Sequence, residues 1–321
     1  MIISRTPFRI SFAGGGTDLA AFYRNEPGAV ISTAIDKYMY VTVNKYFDEN
    51  IILKYSRTEL VPRVSAVRHQ ILRECMLRTG LTNGVEITSM ADIVGGTGLG
   101  SSSSFTVGVL HALHAFKGEY RTAEQLAAGA CEVEIERLKE PIGKQDQYIA
   151  AYGGFQFTEF RPDGKVRVDP LICPPGTLDR LSDRLILLFT GITRKAGPLL
   201  RKARAKFSSN AAVLRRMRDQ AHDAKRDLQN GRVDGLGELL REAWELKKSL
   251  ASGITNPYID RAYETALKNG AVGGKILGAV GGGFLLLYCE SPRRAKVLRA
   301  LKGWREIPFR FEPEWSKIIY V

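Results

Sequence analysis

The sequence predicts an α+β protein of two domains, and three observations carry that expectation. Runs rich in β-branched and aromatic residues alternate with segments whose apolar residues recur every three and four positions, so strands and helices are mixed along the chain. The stretch "CPPGTLDRLSD" (173–183) is polar and holds two prolines and a glycine, the composition of a linker. A length of 321 residues is enough for two ordinary domains. The expected partition is residues 1–176 and 177–321.

In chain order, "TPFRISFAGGGTD" (6–18) reads as a strand running into three glycines. "AVISTAIDKYMYVTVNKYF" (29–47) and "NIILKYS" (50–56) read as strands for their β-branched and aromatic content. "SAVRHQILRECMLRTG" (65–80) has helical periodicity and a terminal glycine, and "GVEITSMADI" (84–93) reads as the next strand. Two helices are expected over 102–118 and 122–138. The second opens with Thr122 and has Gln125 three residues on, a capping-box pattern. Residues 153–171 read as a hairpin turning at Asp163-Gly164. Beyond the linker come a strand (185–190), a basic helix reaching 227, and a helix near 233–251 with Leu236, Leu239, Leu240, Ala243, Leu246 and Leu250 on one face. A helix at about 258–269 follows. "KILGAVGGGFLLLYCE" (275–290) reads as two strand-like runs around a glycine turn, and "EIPFRF" and "KIIYV" close the chain.

Composition excludes several classes. The chain is 44% hydrophobic and 25% charged, as soluble globular proteins are. No apolar run approaches the roughly 18 residues that span a membrane. The opening "MIISRTPFRISFAGGG" carries Arg5 and Arg9 and lacks the apolar core of a signal peptide. Cys75, Cys131, Cys173 and Cys289 form no C-x-x-C pair, so reduced thiols and a cytoplasmic location are expected. Of the net charge of +13, residues 194–227 contribute +8. In that segment Phe207, Ala211, Leu214, Met217, Ala221, Ala224 and Leu228 form an apolar stripe. The opposite face is either solvated or a surface that attracts anionic substrate. It lacks the aromatic residues that stack bases, which argues against nucleic acid. His111 and His114 have an i, i+3 spacing but no third ligand nearby, and read as core or edge histidines.

The chemistry concentrates at glycine. "GGTGLGSSSS" (95–104) lies between a strand and an apolar helix. The first N–H groups of a helix have no partner within it and its dipole end is positive, so such a turn is an anion site. Glycines let the backbone approach phosphate oxygens, and Ser101 to Ser104 add hydroxyls, one of them a candidate magnesium ligand. A P-loop needs a lysine, which is absent between 95 and 104, and a dinucleotide fingerprint needs glycine where Ser101 stands. Nucleoside triphosphate binding by another scheme is the reading left. In 6–18, the glycines would admit a ligand against the backbone and Asp18 could accept hydrogen bonds from hydroxyls. A strand-end turn with an Asx cap explains that text equally well. A third glycine segment, "GGKILGAVGGGF" (273–284), could support the other two.

Taken in order, the three segments resemble the motifs of the GHMP small-molecule kinases, named for galactokinase, homoserine kinase, mevalonate kinase and phosphomevalonate kinase. The resemblance extends over nearly the whole chain, and "GLGSSS" is its most specific piece. Within the family the likeness is strongest to bacterial kinases of a heptose phosphate. It is carried by "AGGGTD", "GKQDQYIAAYGGF", "GITRKA" and the closing glycine segment. One departure is Val94-Gly95, where the family usually has a proline before Gly-Leu-Gly.

The resemblance implies an N-terminal ATP-binding α/β domain and a C-terminal ferredoxin-like α+β domain, with ATP and Mg2+ as cofactors. It places Gly96, Thr97, Gly98, Leu99, Gly100, Ser101, Ser102 and Ser103 on the ATP phosphates. It assigns magnesium to Ser102 and a helix glutamate. Glu132, Glu134 and Glu136 compete for that role, and Glu134 matches by lying seven residues before Pro141. Asp146 matches the catalytic aspartate that takes the hydroxyl proton, and Arg9 matches a basic residue beside it. Asp18, with Gly15, Gly16 and Thr17, is implied on the sugar. Arg194 and Lys195, after "LILLFTGIT", and Lys248 are candidates for the substrate's own phosphate.

The expected reaction is phosphorylation of the anomeric hydroxyl of a heptose 7-phosphate. Another anomeric sugar kinase, such as one acting on fucose, and a catalytically silent sugar-sensing or nucleic-acid-binding member are the alternatives. Intact Asp146, Ser102 and Arg9 argue against silence. The expected partners are a sugar phosphate and ATP, with no nucleic acid and no membrane; the sequence does not give the oligomeric state, and a homodimer is one assembly it leaves open.

Overall fold

A computed structural model describes residues 1–193, 210–278 and 281–321. Two sheets organise it. The first contains β1 (Ile2–Ala13), β2 (Gly28–Lys45), β3 (Ile51–Lys54), β4 (Thr58–Val61), β5 (Val85–Ala91), β6 (Phe155–Phe160), β7 (Val166–Pro170) and β12 (Lys317–Tyr320). Its main order is β12-β1-β2-β5-β3-β4, with β6 pairing β2 and β7. The second contains β8 (Leu185–Phe189), β9 (Ala271–Ile276), β10 (Phe284–Cys289) and β11 (Arg305–Glu306), in the order β11-β8-β10-β9. Every pair in the second sheet is antiparallel, and the strands run fourth, first, third, second, which is the ferredoxin-like order.

Among the described residues the α-helices are, in chain order, α1 (Ala20–Tyr23), α2 (Gln70–Thr79), α3 (Ser101–Phe116), α4 (Ala123–Cys131), α5 (Gln145–Tyr152), α6 (Thr177–Asp183), α7 (Ala211–Gln229), α8 (Leu236–Ser249), α9 (Pro257–Lys268) and α10 (Ser291–Ala300). Helices α2, α3 and α4 pack on the first sheet through a core that includes Val41, Val43, Leu53, Ile87, Leu110 and Leu126. Trp244 of α8 and Ile259 of α9 cover one face of the second sheet. The other face shares a core with the first sheet: Phe8, Ile10 and Phe12 of β1 join Leu185, Leu187 and Leu286. Burial of this kind contributes about 1.5–3 kcal/mol per large apolar side chain.

Several boundaries differ from the sequence expectation for local reasons. The helix expected from 65 begins at Gln70, because Val67 and His69 are extended and the His69 ring accepts from the Leu72 N–H at 3.4 Å. Its end at Gly80, with φ +71°, is as the terminal glycine implies. The Thr122–Gln125 capping box forms in both directions. The helix expected to run on to 138 changes to a π-helix over Glu132–Arg137. The 173–183 linker contains α6, a seven-residue helix that the polar text concealed, and α10 was not foreseen at all. The end of the chain returns to the first sheet: Phe311 bridges Ile35, and β12 pairs β1 with Ile3 opposite Tyr320. The expected second half of the chain therefore completes the sheet of the first.

The cysteines are free thiols, three of them buried. Among the described residues no helix is long and apolar enough to cross a membrane. The apolar stripe of the basic helix is seen from Leu214 to Leu228, all packed inward. Phe207, Arg194 and Lys195 lie outside the described residues.

Candidate active site

The three glycine segments meet at one place. The central turn (95–100) leaves β5 and ends at Gly100, the N-cap of α3, with φ +76° and no side-chain cap. The N–H groups of the first helical turn are thus left for a ligand. Leu99 is fully buried and anchors the turn in the shared core. The Thr97 hydroxyl, also buried, donates to the Val94 carbonyl at 2.9 Å. Gly98, with φ +86°, lies so close to the third turn that a Cβ there would sit 2.4 Å from the Leu277 carbonyl oxygen. A Cβ on Gly278 would in turn sit 2.2 Å from Gly98 Cα. Only glycine on both sides permits this contact.

Arg9 projects from β1 beneath the central turn. Its Nε and Nη2 each donate to one oxygen of Asp146 at 2.7 Å, and its Nη1 donates to the Gly98 carbonyl. Arg9 is 4% exposed. Asp146 is in the first turn of α5 and keeps 24% of its side chain open. A bidentate guanidinium–carboxylate pair of this geometry is directional and charge-assisted, and it holds the carboxylate beside the N-terminus of α3.

The π-helix turns Glu134 inward while its neighbours stay out. Glu132 pairs with Arg78 and Arg137 at the surface, and Glu136 is exposed. Glu134 is 1% exposed. Its carboxylate accepts from Ser102 Oγ at 2.6 Å, Ser103 Oγ at 2.8 Å and Gln147 Nε2 at 2.7 Å. Burial pushes its carboxyl above the usual range, the three donors oppose that, and the nearby Asp146 charge adds to it. Among the described residues no lysine or arginine pairs with it. π-bulges of this kind are frequent at functional sites.

The first turn is built more tightly than its sequence suggests. Thr17 is fully buried, and its hydroxyl bonds the backbone of Gly14 and Ala29. Asp18 is 2% exposed, and its two oxygens accept from the Gly16 N–H at 2.9 Å and the Gln145 N–H at 3.1 Å. Burial raises its carboxyl above the normal value, against those backbone bonds. Asp18 thus ties the first turn to the start of α5, while Gly15 and Gly16 remain partly open. Lys248 pairs with Glu245 at 2.9 Å and lies over the Trp244 ring. The helix ammonium that enters the site belongs to Lys247, whose Nζ donates to the Ile276 and Gly278 carbonyls.

A second ammonium, that of Lys275, is buried at 4% exposure and donates to the Phe12 carbonyl at 3.0 Å. Sequence reasoning missed Gln147, Lys247 and Lys275. Two signals were available: Lys275 stands alone in an apolar strand run, and Lys247 falls on the stripe of Leu240, Ala243 and Trp244. His111 and His114 bond Ser316 and Glu119 respectively, and burial pushes the His111 ring down to about 4. Among the described residues no group of three or more His, Cys, Asp or Glu side chains could hold a metal by itself.

A glycine-lined anion site with an arginine-held carboxylate at its edge can position a phosphate ester against a hydroxyl, the work of a phosphotransferase. Residues 64–154 match the family model "GHMP kinases N terminal domain" and residues 224–304 match "GHMP kinases C terminal", together more than half of the sequence. The chain belongs to the GHMP kinase family. The D-glycero-alpha-D-manno-heptose 7-phosphate kinase of Campylobacter jejuni is 29% identical, covering 94% of this chain and 93% of that one. The L-fucokinase/L-fucose-1-P guanylyltransferase of Bacteroides fragilis is 28% identical over 94% of this chain, which spans only 36% of that protein. A D-glycero-D-manno-heptose 1-phosphate kinase from Bacteroides thetaiotaomicron superposes with a TM-score of 0.83 over 100% of this chain and 99% of its own, at 24% identity, and shares the fold.

Proposed function

We propose that the protein transfers the terminal phosphoryl group of ATP to the anomeric C1 hydroxyl of D-glycero-D-manno-heptose 7-phosphate. The product is the 1,7-bisphosphate, used to make nucleotide-activated heptose for cell-surface glycans. The Arg9–Asp146 pair beside the uncapped N-terminus of α3 is the observation that carries this reading. The C1 oxygen attacks the terminal phosphorus, the bond to the bridging oxygen breaks, and ADP leaves with the electron pair. The hydroxyl proton passes to the Asp146 carboxylate. Arg9 keeps that carboxylate oriented, and its charge offsets charge developing on the transferred group.

Magnesium fits the residues present. Glu134 is a buried carboxylate without a cationic partner among the described residues, and Ser102 Oγ adjoins it. Both are hard oxygen donors, and nucleotide phosphates and water complete such a shell. The ion would neutralise phosphate charge. Glu134→Gln is therefore expected to raise the magnesium concentration at half-maximal rate, measured by titrating the metal at saturating nucleotide. Unchanged dependence there, with a shift for Glu132→Gln, would move the ligand to the other helix face.

The sugar reading is supported by the Campylobacter relative, and the sugar's own phosphate is assigned to Arg194 and Lys195, which follow β8 in sequence. The test compares one heptose with and without its 7-phosphate as acceptor. A strong preference for the phosphorylated sugar is expected. Equal use of both would replace this reading with an anomeric kinase of unphosphorylated sugars, which the fucokinase relative favours.

A further inference from the structure

Three cations line the place where the glycine segments meet, and each is bonded to the backbone of a different one. Arg9 donates to Gly98 in the central turn, Lys247 to Gly278 in the third, and Lys275 to Phe12 at the mouth of the first. Gly98 and Gly278 are in contact, so the groups held on them are neighbours. The charges are close enough to act on one another. Burial lowers Lys275 to about 7, with the Arg9 charge adding to it. Burial, then Lys275 and Arg9, push Lys247 well below the lysine range, and Asp146 alone opposes them.

The cluster is unbalanced. Among the described residues the carboxylate that acts on it is Asp146, which already has both oxygens engaged by Arg9. Residues 194–209 and 279–280, outside the described part of the chain, contain no Asp or Glu that could add negative charge. Among the described residues both ammonium groups are held on carbonyls alone, Lys275 buried and Lys247 partly so, and taking a charge out of water without a counter-charge is costly. Each ammonium has three donors; Lys247 uses two and Lys275 one on the backbone. Among the described residues donors therefore remain for an anion.

We infer that Lys247 and Lys275, with Arg9, form a subsite for a phosphoryl anion, and that its occupant is the terminal phosphoryl group in transfer. The position favours that group, since the subsite adjoins both Asp146 and Gly98. The inference rests on the kinase reading above and adds two cations to it.

The test is nucleotide titration calorimetry on the full chain with magnesium, comparing AMPPNP with ADP for wild type, Lys247→Met and Lys275→Met. The variants should bind ADP as wild type does and bind AMPPNP about 10- to 100-fold more weakly, the loss expected for a charge-assisted hydrogen bond. Lys247→Arg should recover part of the difference. Equal weakening of both nucleotides, or none, would overturn the inference and leave the lysines as struts of the glycine turns. Unchanged AMPPNP affinity with a lost preference for the phosphorylated sugar would overturn it too, giving the subsite to the acceptor's phosphate. If wild type binds neither nucleotide, the kinase reading itself fails, a different outcome from wild-type binding that the variants retain. Where a methionine variant does not fold, the wild-type protein decides. At pH 8, AMPPNP should bind with more proton uptake than ADP, as the depressed lysines gain charge against the anion. Equal uptake would overturn the inference.

Discussion

Asp146→Asn should lower kcat by about 100- to 10,000-fold, the range for removing a positioned acid–base group. Nucleotide affinity should survive. In the present geometry the Arg9 fork donates one hydrogen bond to each carboxylate oxygen at 2.7 Å. Asparagine keeps a single acceptor and turns an amide N–H toward the guanidinium, so the fork loses a partner. It also cannot take the acceptor's proton. The uncapped N-terminus of α3 has no side-chain cap to lose, and Arg9 keeps its bond to the Gly98 carbonyl and with it its place at the proposed subsite. Steady-state turnover with the sugar phosphate, paired with a nucleotide titration of the same variant, checks both halves. Turnover near the wild-type rate would remove Asp146 from the proton-accepting role.

Gly98→Ala is expected to be nearly as damaging by another route. The positive φ costs an L-residue roughly 1–2 kcal/mol, and the added Cβ would meet the Leu277 carbonyl at 2.4 Å. The two turns cannot then keep their contact, and overpacking adds about 1–3 kcal/mol. Gly118, after α3, supplies the comparison, with φ +74° and nothing within 4 Å of an added Cβ. Gly118→Ala should therefore show the conformational cost alone. Gly98→Ala should melt lower than Gly118→Ala and turn over on the order of 100-fold more slowly than wild type, because reacting groups shifted by about 1 Å forfeit that much. Equal behaviour of the two variants would mean that the contact between turns has no functional weight.

The comparison between text and structure divides by range. Local chemistry was readable: the Thr122–Gln125 box, the Gly80 stop and the inward stripe of α7 follow from nearest-neighbour rules. The glycine-rich turn before an apolar helix was readable as an anion site because its cause lies within ten residues. Arg9 and Asp146 are 137 positions apart, and only family resemblance put them together before the structure did. Glu134 owes its inward position to the π-helix, which no periodicity signals in advance. Asp18 carries a tie that the sequence does not signal: its two oxygens accept from the Gly16 and Gln145 N–H groups, 127 positions apart in the second case. Lys247 and Lys275 escape a reading by residue type, which takes a lysine for solvated, although the apolar neighbours on their faces are in the sequence.

The core shared by the two sheets bears on how the molecule comes apart. Phe8, Ile10 and Phe12 are covered by Leu185, Leu187 and Leu286, and β12 closes the edge of β1. A cut at 176/177 would bare those phenylalanines and open a strand edge at once, the two features that drive a fragment to aggregate. Between β7 and β8 the chain changes sheets, while the core continues across the change. Halves exchanged with a relative would have to carry their facing residues with them. Heating should dissolve both sheets in one cooperative step, so a lesion in either is felt as a loss of the whole.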